Sequence, residues 1–402
     1  MKNKLIDLKV SIISSVQLIL KIERKIKVDI CIVNPGFNMG GVERVAIELA
    51  NALQKDKHRV TLVDFFGEND FFYDVNKDIS TPNTIRKRSL KSKINKKISF
   101  AIYNINKRPL NSYNLYREQV EDLINHLKES NYDTLILCQG MLTALIPVIK
   151  RELPEIKIIA WQHNDYDVYI SQYFKEILSD YQEGLKLADM VICLTVADLQ
   201  KFRMINPNTY NIYNPLTINK TKLSELNNKK IVFVGRLRMQ QKGLDYLIDI
   251  AKMIDKDWVI SVAGDGEDKE QFQKLIKKNK LENKIILEGS LKSEELLELY
   301  SSGSIFISTS RWEGFGLVIT EAMACGLPIV SFGNLGPREI LGNGDYGILI
   351  DHHNVDKFIS NLNELIKNKS KREELQQKSL ERASDFKMEV ILKEWNSKLN
   401  SL

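Results

Sequence analysis

The 402-residue chain has four cysteines, nine prolines and twenty glycines, and only 8% of it is aromatic. Cys31, Cys138, Cys193 and Cys325 lie far apart, form no C-x-x-C pair, and each sits in or beside an apolar run. That pattern excludes a disulfide scaffold and predicts small buried thiols in a reducing compartment. Scarce glycine and proline, with 43% hydrophobic content, exclude collagen-like and disordered chains. No uninterrupted apolar stretch reaches about 18 residues, so no ordinary transmembrane helix is expected. No small-residue cleavage site follows the apolar part of the N-terminus, and the expected location is cytoplasmic. One hydrophobic core rarely serves a chain of this length, which predicts two domains of roughly 200 residues each.

The formal charge of +6 is unevenly spread. Residues 1–27 carry seven Lys/Arg against Asp7 and Glu23, and residues 86–108 carry nine with no acid, which leaves −8 on the remainder. An acidic body with two basic attachments suits a polyanionic surface; a solvated helix face and a flexible loop are the plainer alternatives. Within residues 4–22, Leu5, Leu8, Ile12, Val16 and Ile19 share one helical stripe, suited to lying in a headgroup layer or to packing on the first domain. In 86–108, Ile94, Ile98, Phe100, Ile102 and Tyr103 interleave with the cations. Stacking platforms for bases are sparse, so the expected partner is an anionic membrane surface at the inner face of the cell membrane and not nucleic acid.

From residue 28 short β-rich runs alternate with amphipathic helical stretches. In the first half, 28–33, 59–64, 134–138, 156–161 and 190–194 read as buried strands; in the second, 230–234, 258–263, 284–288, 304–308, 327–331 and 347–350 do. Continuously apolar strands separated by helices predict parallel sheets covered on both faces. The expected layout is a basic N-terminal helix over 1–27 and a doubly wound domain over 28–216, with a basic insertion at 73–112. A linker at 217–228, a second doubly wound domain over 229–384 and a closing helix over 385–402 follow. The fold class is thus α/β, with two Rossmann-like domains facing across a cleft and ligands at the carboxyl ends of their strands.

Three turns carry chemistry. Arg311-Trp312-Glu313-Gly314-Phe315-Gly316-Leu317, followed by Glu321, directly succeeds a strand. Gly314 and Gly316 let backbone approach a ligand, and the N–H groups of Phe315, Gly316 and Leu317 face an anion at the start of a helix. Two carboxylates bracketing a phosphate site suit a sugar–diphosphate–nucleoside; an ordinary strand–helix turn with a solvated Glu321 is the plain alternative. Gly235-Arg236 and Lys242 supply a guanidinium fork and a point charge for a diphosphate. Gly40-Gly41, opening a helix in domain one, offer a second donor site across the cleft.

The run from Val234 to about Leu341 resembles the carboxyl-terminal domain of the family-4 retaining glycosyltransferases, which have the GT-B fold. It carries their Glu-x7-Glu motif at Glu313 and Glu321, the Gly235-Arg236 turn, the Lys242 position and Gly336-Pro337-Arg338-Glu339-Ile340. Gly40-Gly41-Val42-Glu43-Arg44 and Trp161-Gln162-His163-Asn164 are similar to those of bacterial polysaccharide-assembly members. The resemblance implies a nucleotide-sugar donor, UDP-linked in most relatives, carrying a hexose or N-acetylhexosamine, and a lipid-linked saccharide acceptor. It implies that Glu313 contacts the donor sugar, Glu321 the ribose, and Arg236 and Lys242 the diphosphate. Gly41 approaches the diphosphate from the other side, and His163 lies beside the reacting sugar. It implies no cofactor and no metal, so Asp165-Tyr166-Asp167 has no catalytic duty, and no protein general base is assigned.

Two rival functions remain from the residues alone. An NAD-dependent oxidoreductase finds support in Asp64 at the end of the second strand, but neither the turn before it nor Ala263-Gly264-Asp265-Gly266 gives G-x-G-x-x-G. A catalytically silent binding or chaperone module has no need of Glu313, Glu321, Arg236 and Lys242 together.

Overall fold

Strands that are apolar on both faces must be covered on both faces, and the chain does this twice. The computed structural model describes residues 27–218 and 220–402. The first domain contributes β1 (Asp29–Asn34), β2 (Arg59–Asp64), β3 (Thr134–Cys138), β4 (Lys157–Trp161), β5 (Met190–Cys193) and β6 (Thr209–Asn211). They form one parallel sheet in the order β2-β1-β3-β4-β5-β6. The second contributes β7 (Lys230–Val234), β8 (Val259–Ala263), β9 (Ile285–Gly289), β10 (Ile305–Ser308), β11 (Ile329–Phe332) and β12 (Ile348–Ile350). Their order is β12-β11-β10-β7-β8-β9, again parallel. The α/β class and the two-sheet architecture are as the alternating pattern requires. Strand β6 is the element the sequence does not signal. It is a three-residue Thr-Tyr-Asn edge strand without an apolar run, held by pairing with β5.

Five helices shape the cleft and its surroundings. Helix α1 (Gly41–Lys55) buries Val45, Ala46, Leu49, Ala50 and Leu53 against the first sheet. Helix α2 (Leu90–Asn106) is the basic segment; Ser89 caps it by accepting the Ser92 N–H at 3.1 Å, and it has no buried residue. Helix α3 (Leu244–Met253) places Leu244, Leu247, Ile248 and Ala251 on the second core. Helix α4 (Leu317–Ala324) follows β10, and α5 (Met388–Leu399) ends the chain. No helix among the described residues is long and apolar enough to cross a membrane. Apart from Lys27, the basic stretch 1–27 lies outside the described residues. All four cysteines are buried and unpaired.

The stretch 217–228 lies against the second domain, with Ser224 and Leu226 buried and the Ser224 carbonyl accepting from Gln376 Nε2 at 2.8 Å. After a helix at Lys369–Ala383, the chain crosses back over the cleft. Helix α5 then adds Ile391, Trp395 and Leu399 to the core of the first domain. Trp395 is fully buried and meets Trp161 at the end of β4 edge-on, ring centroids 4.9 Å apart. Asn396 fixes the helix by donating to Asp56 at 2.6 Å and meeting His58 Nε2 at 3.0 Å. The first domain is therefore completed by the last residues of the chain. Trp395→Ala should destabilise it by about 3–5 kcal/mol, the usual cost of emptying a large core site. Denaturant unfolding read by fluorescence checks this, and a loss under about 1 kcal/mol on that scale would place α5 outside the core.

Candidate active site

In the second sheet β7 and β10 are neighbours, and the chain leaves them toward opposite edges. That reversal opens a crevice at their carboxyl ends, where open α/β sheets hold ligands. Strand β7 delivers Gly235 and Arg236 there, and β10 delivers the loop leading to α4. Lys242 ends a short helix at Met239–Lys242 and turns inward at Gly243. Gly243 is obligatory: its φ is 61°, and a Cβ would lie 2.2 Å from the Thr309 carbonyl oxygen. Lys242 Nζ donates to both carboxylate oxygens of Glu313, at 2.9 Å to Oε2, and both side chains are nearly nine-tenths buried. Arg236 remains exposed and reaches across to the Met39 carbonyl at 3.3 Å, just ahead of α1.

Gly316 caps α4 with φ 116°, and its carbonyl accepts from the N–H groups of Ile319 and Thr320. The amides of Phe315, Gly316 and Leu317 precede that ladder and are free of it. Gly314 departs from its expected part. A Cβ at Gly314 would sit 2.2 Å from the His163 carbonyl oxygen and 2.8 Å from Asn164 Cα. Its bareness serves the approach of the two domains, because the space beside it is filled by domain-one backbone. Gly41 has a milder version of the same constraint, with Leu317 Cδ1 3.3 Å from where its Cβ would be.

Glu321 is also unlike a solvated helix residue. It is 2% exposed and accepts from Arg44 Nη1 at 2.8 Å, Thr217 Oγ1 at 2.5 Å and Tyr300 Oη at 2.9 Å. Three of a carboxylate's roughly four acceptor directions are thus occupied. Arg44 also donates to the Thr217 carbonyl at 2.7 Å, so one guanidinium joins α1, the start of the 217–228 stretch and α4. Sequence reasoning gives Arg44 no duty. Its position three residues after Gly41, one helical turn on, is the available signal. Thr217 and Tyr300 have none, being brought in by tertiary folding from 104 and 21 residues away.

His163 leaves β4 beside the Trp161 ring, 4.3 Å between centroids. It is 8% exposed, and neither ring nitrogen has a partner among the described residues. Burial alone pushes its pKa down to about 3. The imidazole is therefore neutral, desolvated and still able to make two hydrogen bonds. Asp165 and Asp167 are occupied locally: Asp165 accepts the Asp167 N–H at 2.7 Å, and Asp167 pairs with Lys201 at 2.7 Å. Asp64 is spent on its own loop, accepting the N–H groups of Phe66, Gly67 and Asn69 at 2.8, 3.1 and 2.9 Å. That consumes the carboxylate a dinucleotide ribose would need. Among the described residues no cluster of three His, Cys, Asp or Glu side chains is arranged to hold a metal ion.

All twelve residues singled out from sequence line one cleft of about 1200 Å³ between the domains. These are Gly40, Gly41 and His163 from the first domain, and Gly235, Arg236, Lys242, Glu313, Gly314, Phe315, Gly316, Leu317 and Glu321 from the second.

The buried imidazole fixes a pH dependence. In the unfolded chain it takes up a proton near pH 6.5, whereas in the fold it does so only at about pH 3. The unfolded state thus binds more protons, and His163 lowers stability progressively as pH falls from about 6.5 toward 3, with no effect above that window. Thermal melts of His163→Asn should fall less steeply than wild type over the acid limb and run parallel to it above pH 7. An identical acid limb in both proteins would contradict the buried neutral imidazole.

Comparison with known proteins agrees with this geometry. The family model described as glycosyl transferases group 1 matches residues 217–382, and the one described as Glycosyltransferase Family 4 matches 39–204. An uncharacterized glycosyltransferase of Haemophilus influenzae is 30% identical over 378 residues, covering 92% of this chain and 98% of its own. The amylovoran biosynthesis glycosyltransferase AmsD of Erwinia amylovora is 27% identical, covering 90% of this chain and 97% of its own. Among solved structures, Anabaena HepE in complex with UDP superposes with a TM-score of 0.71 at 20% identity, covering 93% of this chain and all of that one. The lipopolysaccharide outer core galactosyltransferase WaaB superposes with 0.69 at 20% identity, covering 92% of this chain and 99% of that one. With one relative 30% identical over 92% of this chain and both domains matched by family models, the chain belongs to the family-4 glycosyltransferases and has their GT-B fold.

Proposed function

We propose that the protein is a retaining enzyme that moves a hexose or N-acetylhexosamine from a UDP-sugar to a lipid-linked saccharide in cell-surface polysaccharide assembly. It works at the cytoplasmic face of a membrane, held there by its basic segments. The observation that carries the reading is the pair of cations, Arg236 and Lys242, at the β7/β10 crevice directly opposite the Gly40–Gly41 turn. The part of AmsD in amylovoran biosynthesis and the UDP held by HepE support the polysaccharide and the donor respectively.

In this reading the bond from the anomeric carbon to the diphosphate oxygen breaks, and its electron pair leaves with UDP. The acceptor hydroxyl oxygen bonds to the anomeric carbon from the same face, and its proton passes to the departing phosphate oxygen. Negative charge growing on the diphosphate meets Arg236, Lys242 and the amides that precede the ladder of α4, donors already in place before the reaction. Lys242 has a third N–H donor beyond its two bonds to Glu313, so a phosphate is added to the ion pair without stranding either charge. Glu313 faces the donor sugar, Glu321 offers its remaining acceptor direction to the ribose, and neutral His163 gives the sugar a hydrogen-bond partner. Because side-chain cations and backbone amides balance the diphosphate, the chemistry calls for no metal and no cofactor.

Incubation with a panel of labelled nucleotide sugars and a lipid-diphosphate-linked acceptor, in excess EDTA, tests this. Transfer should proceed from a UDP-sugar, and Lys242→Ala and Glu313→Ala should each lower turnover by about 10²–10³ with unchanged circular dichroism. A variant keeping more than about a tenth of wild-type turnover defeats the assignment of that residue. Activity lost in EDTA and restored by magnesium would bring Asp165 and Asp167 into the chemistry.

A further inference from the structure

Two large apolar side chains on the first-domain wall of the cleft are left open to it, Phe72 at 51% exposure and Met39 at 46%. Phe72 is the middle one of three successive aromatic residues, Phe71-Phe72-Tyr73, on the loop that follows β2. Its neighbours are anchored. Phe71 stacks on the fully buried Phe37, with ring centroids 4.7 Å apart and 18° between the planes. Tyr73 lies beneath the Arg44 guanidinium, 5.6 Å from its ring centroid. The Phe72 N–H itself donates to the Phe37 carbonyl at 3.0 Å. The backbone is thus fixed on both sides of Phe72, while its ring has one aromatic neighbour, the edge-on Tyr73 ring at 5.0 Å. A phenyl ring held half in water on a fixed backbone forgoes burial that a planar ligand laid on it would restore.

What faces Phe72 follows from how the two sheets meet. His163, past β4, lies against Gly314, past β10. Further along the cleft the Met39 carbonyl, past β1, meets Arg236, past β7, at 3.3 Å. In the same direction the next strand of the first sheet is β2, and the next strands of the second are β8 and β9. The loop that carries Phe72 therefore faces the carboxyl ends of β8 and β9, and Gly264, Asp265, Ser290 and Leu291 from those ends line the same cleft. The backbone N–H and carbonyl groups of Ser290 and Leu291 make no hydrogen bond among the described residues. They offer donors and acceptors to the edge of a heterocycle whose face lies on Phe72. A line of side-chain contacts gives the same position. Glu321 is bonded to Arg44, Arg44 lies over Tyr73, and Tyr73 packs on Phe72. The exposed ring is thus two side chains away from the carboxylate that meets the ribose in the reading above, and across β7 from Glu313 and the donor sugar.

We infer that Phe72, with Met39 on the adjoining turn, is the platform on which the donor's nucleobase stacks. The first domain covers the face of the base while the turns after β8 and β9 in the second domain read its edge. This rests on the nucleotide-sugar reading above and adds to it a first-domain residue that determines how tightly the nucleoside is held. Stacking on a phenyl ring is tolerant of base identity, because every base has a π-face. Phe72 therefore sets affinity for nucleotides as a class, and the choice among bases falls to the unpaired backbone groups opposite.

The test is calorimetric titration of the full chain with UDP, ADP, GDP and ribose 5-diphosphate, the last keeping ribose and diphosphate but lacking a base. Wild type should bind one of the three nucleotides, UDP on the reading above, at least tenfold more tightly than ribose 5-diphosphate. Phe72→Ala should weaken that nucleotide about five- to hundredfold, the usual effect of removing one base–aromatic stack, and leave ribose 5-diphosphate within twofold. Phe72→Trp should keep wild-type affinity. Its added indole fluorescence, read as the difference from wild type, should be quenched by the nucleotide and not by ribose 5-diphosphate. A Phe72 that merely braces its loop would, when truncated, weaken ribose 5-diphosphate and the nucleotide alike, and that result overturns the inference. Undiminished nucleotide affinity in Phe72→Ala, no quench in Phe72→Trp, or no advantage of any nucleotide over ribose 5-diphosphate in wild type overturns it as well. Preference for ADP or GDP over UDP, lost in Phe72→Ala, would refute the UDP donor and uphold the stacking platform.

Discussion

Among the described residues, the ion pair that joins the two domains is Arg44 with Glu321, and the site is organised around it. Both partners are buried, at 11% and 2% side-chain exposure. Such a pair adds little net stability, because two charges have left water, yet breaking it strands one of them at a cost of about 3–5 kcal/mol. It therefore specifies a geometry more than it strengthens a fold. Arg44 reaches Glu321 only if α1 and α4 face each other closely, and the bare Gly314 leaves the room at the seam that this approach takes, its missing Cβ falling 2.2 Å from the His163 carbonyl oxygen. Residues that line the cleft are thus among those that hold the halves together.

The same economy governs the remaining charges. Lys242 and Glu313 satisfy each other, Arg236 leans on the Met39 carbonyl, and Glu321 is held by Arg44, Thr217 and Tyr300. These charges are not left bare, which a low-dielectric site would penalise heavily. Each partner nonetheless retains donors or acceptors for a ligand. His163 waits without a partner among the described residues, and it can do so because burial keeps it neutral. A site preset in this way stabilises charge that develops later without reorganising its own dipoles.

Much of this is legible in the sequence. Strand after strand runs apolar through both faces, so parallel sheets and their boundaries emerge within a residue or two, and only β6, too short and polar to show a pattern, is hidden. The twelve site residues stand out because strand-end glycines and nearby charges mark turns, and turns at strand ends converge in doubly wound sheets. What is not legible depends on which surfaces touch. Gly314 reads as room for a ligand, when the neighbour is the His163 carbonyl. Thr217 falls in a stretch that reads as a linker, and Tyr300 lies on a helix with no local mark, although both grip Glu321.

The central claim is that the seam between the domains and the donor site are one structure. Calorimetric titration of UDP into wild type and Gly314→Ala tests it most directly, since the added methyl would lie 2.2 Å from the His163 carbonyl oxygen and must push the seam apart. The account predicts affinity at least about tenfold weaker, roughly 1.4 kcal/mol, with circular dichroism and cooperative unfolding preserved. Undiminished UDP affinity in a folded Gly314→Ala protein would contradict it.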